Sequence, residues 1–218
     1  MLTMENYLYI YVVDRDFGFA PNPFHGYCTL ATCKPRVRRN AHVGDWIMGV
    51  GGRSLNATGK CIYLMKVTEV ATFSEYWVDS RFLCKRAVRN GSKVTMVGDN
   101  IYHHEQESND WIQEDSHHSM PDGSPNLENI IKDTSSVNVI ISRHFYYFGK
   151  SAPEVDLDSI SYKNRIDHDK RSTNNENVAT FIANIESRYA RHKNNIINKP
   201  FDFAAAHKRV DQKTRKIT

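Results

Sequence analysis

The sequence predicts an α+β fold: a mixed β-barrel or strongly curved sheet of about five or six strands, with short helices and a C-terminal helix. Three observations predict it. Residues 7–13, 46–50, 61–70 and 136–147 are runs rich in β-branched and aromatic side chains, most of them bounded by Gly, Asp or Asn. Residues 177–191 space their apolar side chains as a helix does, with Val178, Phe181, Ile182 and Ile185 on one face and Tyr189 continuing it. Finally, 218 residues at 40% apolar and 25% charged make a chain that can bury a full core without staples.

Each element has its local reason. YLYIYVV, Tyr7 to Val13, reads as a central strand stopped by Asp14-Arg15-Asp16 and Gly18. Ala20-Pro21-Asn22-Pro23 excludes a helix interior, because each proline also pushes its predecessor into an extended conformation. Phe24, Tyr27 and Leu30 then fall on one helical face, and Lys34-Pro35 breaks the run. Gly44-Asp45 is a turn feeding a strand from Trp46. Gly51, Gly52 and Gly59 bracket a hairpin loop, and residues 61–70 return as a strand apolar on both faces.

Further on, Ser74 is placed to cap a short helix within residues 73–82. Residues 93–97 read as a short strand. Residues 99–127 are polar, carry His103-His104 and His117-His118, and read as a long loop. Residues 136–147 read as one strand. After Pro153 the composition turns polar. The division expected is a domain over 1–155, a linker or exposed loop over 156–177, and a helix with a basic tail over 178–218. Lys208, Arg209, Lys213, Arg215 and Lys216 make the tail basic.

Several function classes lose ground. No window holds the roughly 18 apolar residues of a membrane span. Walker A, Gly-x-Gly-x-x-Gly and Gly-x-Ser-x-Gly motifs are absent. A formal charge of +4 is too small to announce nucleic acid by itself, since its distribution matters more. Four cysteines behind a start with no basic leader suggest reduced thiols in a cytoplasm.

The densest candidate stretch is Phe17 to Gly52. Lys34, Arg36, Arg38 and Arg39 lie there with no acid between Asp16 and Asp45, and guanidinium forks suit phosphate. A solvated edge is the bland alternative. Phe19, Phe24, Tyr27, Trp46, Tyr76 and Trp77 offer rings to hold a base, with Asn22 and Asp45 to read its edge. Core packing and turn capping are the competing jobs. Asp45, Asp99, His103 and His117 are the acid–base candidates, since His titrates near neutral pH. The histidines match no standard metal spacing, so no metal site is predicted and the cofactor stays open. Cys28, with His25 nearby, is a minor nucleophile candidate; small buried hydrophobes are the default for cysteines.

The run FAPNPFHGYCTLATCKPRVRRNAHVGDWIMGVGG resembles a nucleotide-modification-associated domain family, the second of several so named. The likeness continues through KVTEVATFSEYWVDSRF, VGDNIYHH and VIISRHFYYFG, over roughly residues 6–150. That family occurs in bacteria and phages, alongside DNA-base modification systems. The resemblance implies a role around modified nucleotides in a modification or defence setting, and supplies no reaction. Gly44-Asp45-Trp46 and Lys66-Val67-Thr68-Glu69 also resemble the PUA-like barrel of the base-reading EVE and ASCH domains. That likeness implies a PUA-like fold, and a fold does not fix a function.

Three functions are expected from this reading. One is recognition of a modified nucleotide or base, in DNA or in the nucleotide pool. The alternative is an enzyme acting on a nucleotide or base, transferase or glycosidase-like. The third is an interaction protein that docks a protein partner through the C-terminal helix and basic tail. A nucleotide or nucleic acid is the expected partner, and no membrane is.

Overall fold

The computed structural model describes residues 5–105, 108–163, 168–210 and 217. In chain order its strands are β1 (Tyr7–Val13), β2 (Cys28–Leu30), β3 (Trp46–Gly51), β4 (Cys61–Lys66), β5 (Glu69–Thr72), β6 (Tyr102–His104), β7 (Trp111–Gln113), β8 (Asn138–Ser142), β9 (Phe145–Tyr147), β10 (His168–Ser172) and β11 (Asn195–Ile196). The helices are α1 (Pro35–Asn40), α2 (Phe73–Val78), α3 (Lys93–Met96), α4 (Leu127–Thr134) and α5 (Glu176–Arg188).

The α+β class holds, and the barrel does not. Six strands form a sheet in the order β10-β1-β3-β4-β9-β11, and three more form a second sheet, β2-β8-β5. Strands β6 and β7 pair as a separate hairpin. The six-stranded sheet ends on β10 and β11, which do not pair with each other among the described residues, so the expected barrel is not closed. Most neighbours are antiparallel, but β1 and β3 run parallel, with Val13 opposite Gly51 at their carboxyl ends.

Side-chain alternation sorts the strands into layers. From β1, Leu8 and Ile10 face α5, where they meet Val178, Phe181, Ile182 and Ile185. Tyr9, Tyr11 and Val13 face the second sheet and pack with Cys28, Leu30 and Ile140. The far side of that sheet carries Val139 and Ile141 against Phe17, Phe19, Phe73, Tyr76 and Tyr102.

Two strands read as continuous in the sequence each change sheet. Residues 61–70 bend at Val67 into β4 and β5, and residues 136–147 break at Arg143-His144 into β8 and β9. The bends are tied together, with Lys66 N–H donating to His144 O at 2.8 Å and Arg143 N–H to the Thr68 hydroxyl at 3.0 Å.

Other expectations shift for local reasons. Within residues 24–30, where a helical face was expected, Cys28–Leu30 form β2 because they pair with β8. Residues 93–96 form α3, capped by the Ser92 side chain, and not a strand. Thr72, not Ser74, caps α2 in a reciprocal box with Glu75. Strand β10 falls where an exposed loop was expected. Lys213, Arg215 and Lys216 of the expected tail lie outside the described residues. Among the described residues no helix is long and apolar enough to cross a membrane.

Candidate functional site

A cleft of about 980 Å³ opens at the carboxyl ends of β1 and β3, lined by Val13, Asp14 and Arg15 on one side and Gly52, Arg53 and Ser54 on the other. The two strand ends approach closely: a Cβ on Gly52 would come within 2.2 Å of the Asp14 carboxylate. Crevices beyond the carboxyl ends of parallel strands are recurrent ligand sites in open sheets. Tyr11, Phe17, Phe19, Cys33, Lys34, His117, His118 and Lys132 also line this cleft. Four Lys and Arg side chains line it, Arg15, Lys34, Arg53 and Lys132, with a single acid, Asp14.

Beside the cleft a thiol, an imidazole and a carboxylate stand in line. Cys33 Sγ is 3.6 Å from His118 Nε2, and His118 Nδ1 is 2.7 Å from Asp133 Oδ2. Asp133 sits on α4 and is fully buried. Its carboxylate also accepts from the Tyr102 hydroxyl at 2.9 Å and from the Cys33 backbone N–H at 2.8 Å. The Cys33 carbonyl in turn accepts from Arg38 Nε at 2.9 Å. Cys33 and Lys34 are both left-handed, at φ 60° and 40°, directly before Pro35 opens α1. Non-glycine residues in that region carry strain of ~1–2 kcal/mol each, held only where the surroundings over-determine it. Here Asp133 and Arg38 grip both polar groups of the Cys33 backbone.

The electrostatics follow from burial and charge. Burial alone would lower His118, but the Asp133 charge and then Cys33 outweigh it and raise it to about 10. Burial alone would raise Asp133, and the His118 charge instead holds it below the ordinary carboxylate range. The neighbouring His117 behaves oppositely. Burial, reinforced by the charge on His118, lowers it to about 3. Its ring packs on Phe17 and Phe19 at centroid distances of 4.4 and 5.2 Å.

The histidine-bearing loop is well braced. Asn129 Nδ2 donates to the His118 carbonyl at 2.7 Å. Arg209, from the C-terminal segment, donates to the Ser116 and Met120 carbonyls, both at 2.8 Å, and to Asp115 at 2.7 Å.

Of the residues singled out in the sequence, Phe19, Lys34 and His117 line the cleft. The others are spread over the molecule. Arg38 is buried, donating to the carbonyls of Cys33, Asp133, Ser136 and Asn138. Arg39 donates to Ser135 O, and Arg36 is exposed on α1. Asp45 closes its turn, accepting from Tyr7 and His42 N–H groups at 2.8 Å each. Trp46 faces the α5 layer, with His144 at 5.1 Å. Trp77 has His103 stacked at 3.9 Å and the Arg86 guanidinium at 3.7 Å, so both its faces are covered. His103 pairs with Glu114 at 2.8 Å. Phe24 packs on Phe203, and half-buried Tyr27 on Phe82.

Asn22, Tyr76 and Asp99 join a sealed network. Asp99 accepts from Thr29 at 2.6 Å and Tyr76 at 2.9 Å. Lys85 Nζ donates to the Asn22 carbonyl, the Asn22 side chain and the Tyr27 carbonyl at 2.7 to 3.1 Å. Cys28 is sealed in the core, with its thiol pushed up by burial. Cys33, His118 and Asp133 were the residues that sequence reasoning missed. The only signals were the Lys34-Pro35 break after Cys33 and the second histidine of the His117-His118 pair.

The fold and the cleft together define a class: an α+β domain with a cation-lined crevice and, at its wall, a half-buried thiol followed by a buried imidazole and carboxylate. The family model described as nucleotide modification associated domain 2 matches residues 4–207, nearly the whole chain. The chain belongs to that family, and its context is therefore nucleotide modification. No curated protein and no solved structure matches it.

Proposed function

We propose that the domain holds a phosphate-bearing nucleotide, free or within a nucleic acid, in the cleft beyond β1 and β3. One observation carries this reading: four Lys and Arg side chains against one acid in a cleft of about 980 Å³, in a chain of a nucleotide-modification family. A volume of that order suits a nucleotide-sized ligand. Arg53 and Lys132, exposed at the rim, are the groups proposed to meet phosphate. Lys34, whose ammonium lies 4.5 Å from the Tyr11 ring centre, is proposed to meet it deeper in. The base-reading role implied by the PUA-like likeness is kept, but it moves from the Trp46 strand to this cleft.

Calorimetric titration with a nucleoside, its 5′-monophosphate and a short oligonucleotide tests the reading. The phosphate-bearing ligands are expected to bind and the nucleoside to bind more weakly. Affinity for the oligonucleotide should fall as salt rises, with a log–log slope that drops by roughly one and a half when Arg53 and Lys132 are both changed to Ala. Equal binding of nucleoside and nucleotide, or no binding by either, sinks it.

A further inference from the structure

We propose that Cys33 is a catalytic nucleophile, with His118 as its general acid and base and Asp133 positioning His118, acting at a carboxamide, ester or amidine carbon of a nucleotide in the cleft. The substrate half of this proposal rests on the nucleotide reading above. The thiol half does not.

Of the four cysteines, Cys33 alone lines the cleft. Cys28 and Cys61 are sealed in the core, and Cys84 is exposed with its sulfur on the Arg81 carbonyl at 3.5 Å. Activation of a thiol takes a base within reach and a third group that orients the base. Both are present at 3.6 and 2.7 Å. The first distance is long for a working contact, as is common before a ligand closes a site. Asp133 binds the His118 ring with Oδ2 and the Cys33 backbone with Oδ1, so one carboxylate fixes both partners of the proton transfer. Arg38, beneath them, holds the Cys33 carbonyl and the Asp133 carbonyl.

The same three donors lie within 4.8 Å of one another, close enough to surround a small cation. The donor set argues against that use. His118 Nδ1 is committed to Asp133, and both carboxylate oxygens already accept protein N–H or O–H groups. Sγ and Nε2 are open, and a third ligand would have to come from Asp133 Oδ1, which already holds the Cys33 N–H, so the set is minimal for zinc, which takes at least three protein ligands.

The step balances without an oxidant. The proposed step starts with the Cys33 proton already on His118 Nε2: a sulfur lone pair forms the S–C bond while the C=O or C=N π pair moves onto its heteroatom. Collapse of the tetrahedral adduct expels an amine or alcohol, which takes its proton from His118 Nε2. Water then attacks the thioester or thioimidate carbon and gives a proton back to His118, and the C–S bond breaks to restore Cys33.

The test uses the full chain at pH 7, with iodoacetamide and p-nitrophenyl acetate as probes and peptide mass spectrometry to locate the label. Cys33 is expected to alkylate about ten-fold or more faster than exposed Cys84. The ester should give a burst of about one equivalent of nitrophenolate, with the acetyl group on Cys33. His118→Gln should slow Cys33 labelling about ten-fold, and Cys33→Ser should abolish the burst. Asp133→Asn should move the pH–rate profile of labelling to higher pH, which a merely structural role would not do. If that variant fails to fold, the wild-type and His118→Gln comparison decides alone.

Equal labelling of Cys33 and Cys84 overturns the proposal. So does undiminished labelling in His118→Gln, or a zinc ion in native mass spectra whose removal is what frees Cys33. Adenosine 5′-monophosphate and a short oligonucleotide should each slow labelling. Fast, His118-dependent labelling that neither slows refutes the nucleotide reading alone. Nucleotide binding beside an inert Cys33 refutes the thiol assignment alone.

Discussion

Asp99 and Asp133 are both fully buried carboxylates that accept from a tyrosine hydroxyl and lie near a buried basic group, yet they occupy opposite settings. Around Asp99 every neighbour faces inward: Thr29, Tyr76, Asn22 and Lys85 close on each other inside the core. Asp133 ends a line whose other end, Cys33, reaches the cleft. Their protonation follows the same split. Burial raises Asp99 to about 6, opposed by Lys85, whereas the His118 charge brings Asp133 below its ordinary range. Buried titratable groups therefore mark a site only when the line of contacts ends at an opening. Asp99 was one of two acids, with Asp45, picked out from the sequence, and its network has the character of a structural clamp.

The contrast can be broken or sharpened by experiment. The largest effect is expected from Lys85→Ala, which removes the charge that opposes the burial of Asp99 and takes a donor from the Tyr27 carbonyl and from both Asn22 oxygens, which keep Thr29 and Phe24 N–H donors. Unfolding in denaturant should show a loss of ~3–5 kcal/mol, the cost of breaking a buried charge pairing. A loss under about 1 kcal/mol would mean that the closed cluster is no clamp.

Asp133→Asn comes next. Its amide keeps one acceptor but removes the charge that His118 needs, so a loss of ~1–3 kcal/mol is expected by the same measurement. Unlike Lys85→Ala, it should also change Cys33 labelling.

His117 gives a pH signature. Its folded pKa, about 3, lies below the ordinary 6.5, so it contributes stability that is present above pH 6.5 and lost as pH falls toward 3. Relative to His117→Phe, the wild type should lose stability on acidification with a slope of at most ~1.4 kcal/mol per pH unit. Parallel stability curves for the two proteins across that window would contradict it. The smallest effect is expected at Trp77→Ala: ~1 kcal/mol from the lost Arg86 contact, with nucleotide titrations unchanged.

Legibility in the sequence followed the range of the interactions. Strands β1 and β3 and helix α5 were readable because their periodicity records which faces are buried. The sheet-changing bends at Val67 and Arg143-His144 were not, since an apolar run does not say which sheet each residue joins. The Phe17–Gly52 stretch was rightly suspected, in that Lys34 and Cys33 reach the cleft. Arg38 looked like a phosphate ligand because composition cannot show that its guanidinium meets backbone carbonyls. The line of Cys33, His118 and Asp133 spans 100 residues of sequence, and no spacing rule reaches that far. The left-handed turn at Cys33 and Lys34 was equally hidden, because neither is glycine.

The two sheet-changing bends carry one more consequence. Both lie at the Lys66 end of β4, opposite Trp46, while the cleft lies at the Gly51 end of β3. The six- and three-stranded sheets are thus bound like the boards of a book, with Lys66, Thr68, Arg143 and His144 as the stitched spine and the cleft at the fore-edge. A ligand at the fore-edge would therefore lie at the opposite end of the sheet from the hydrogen bonds that join the two bends.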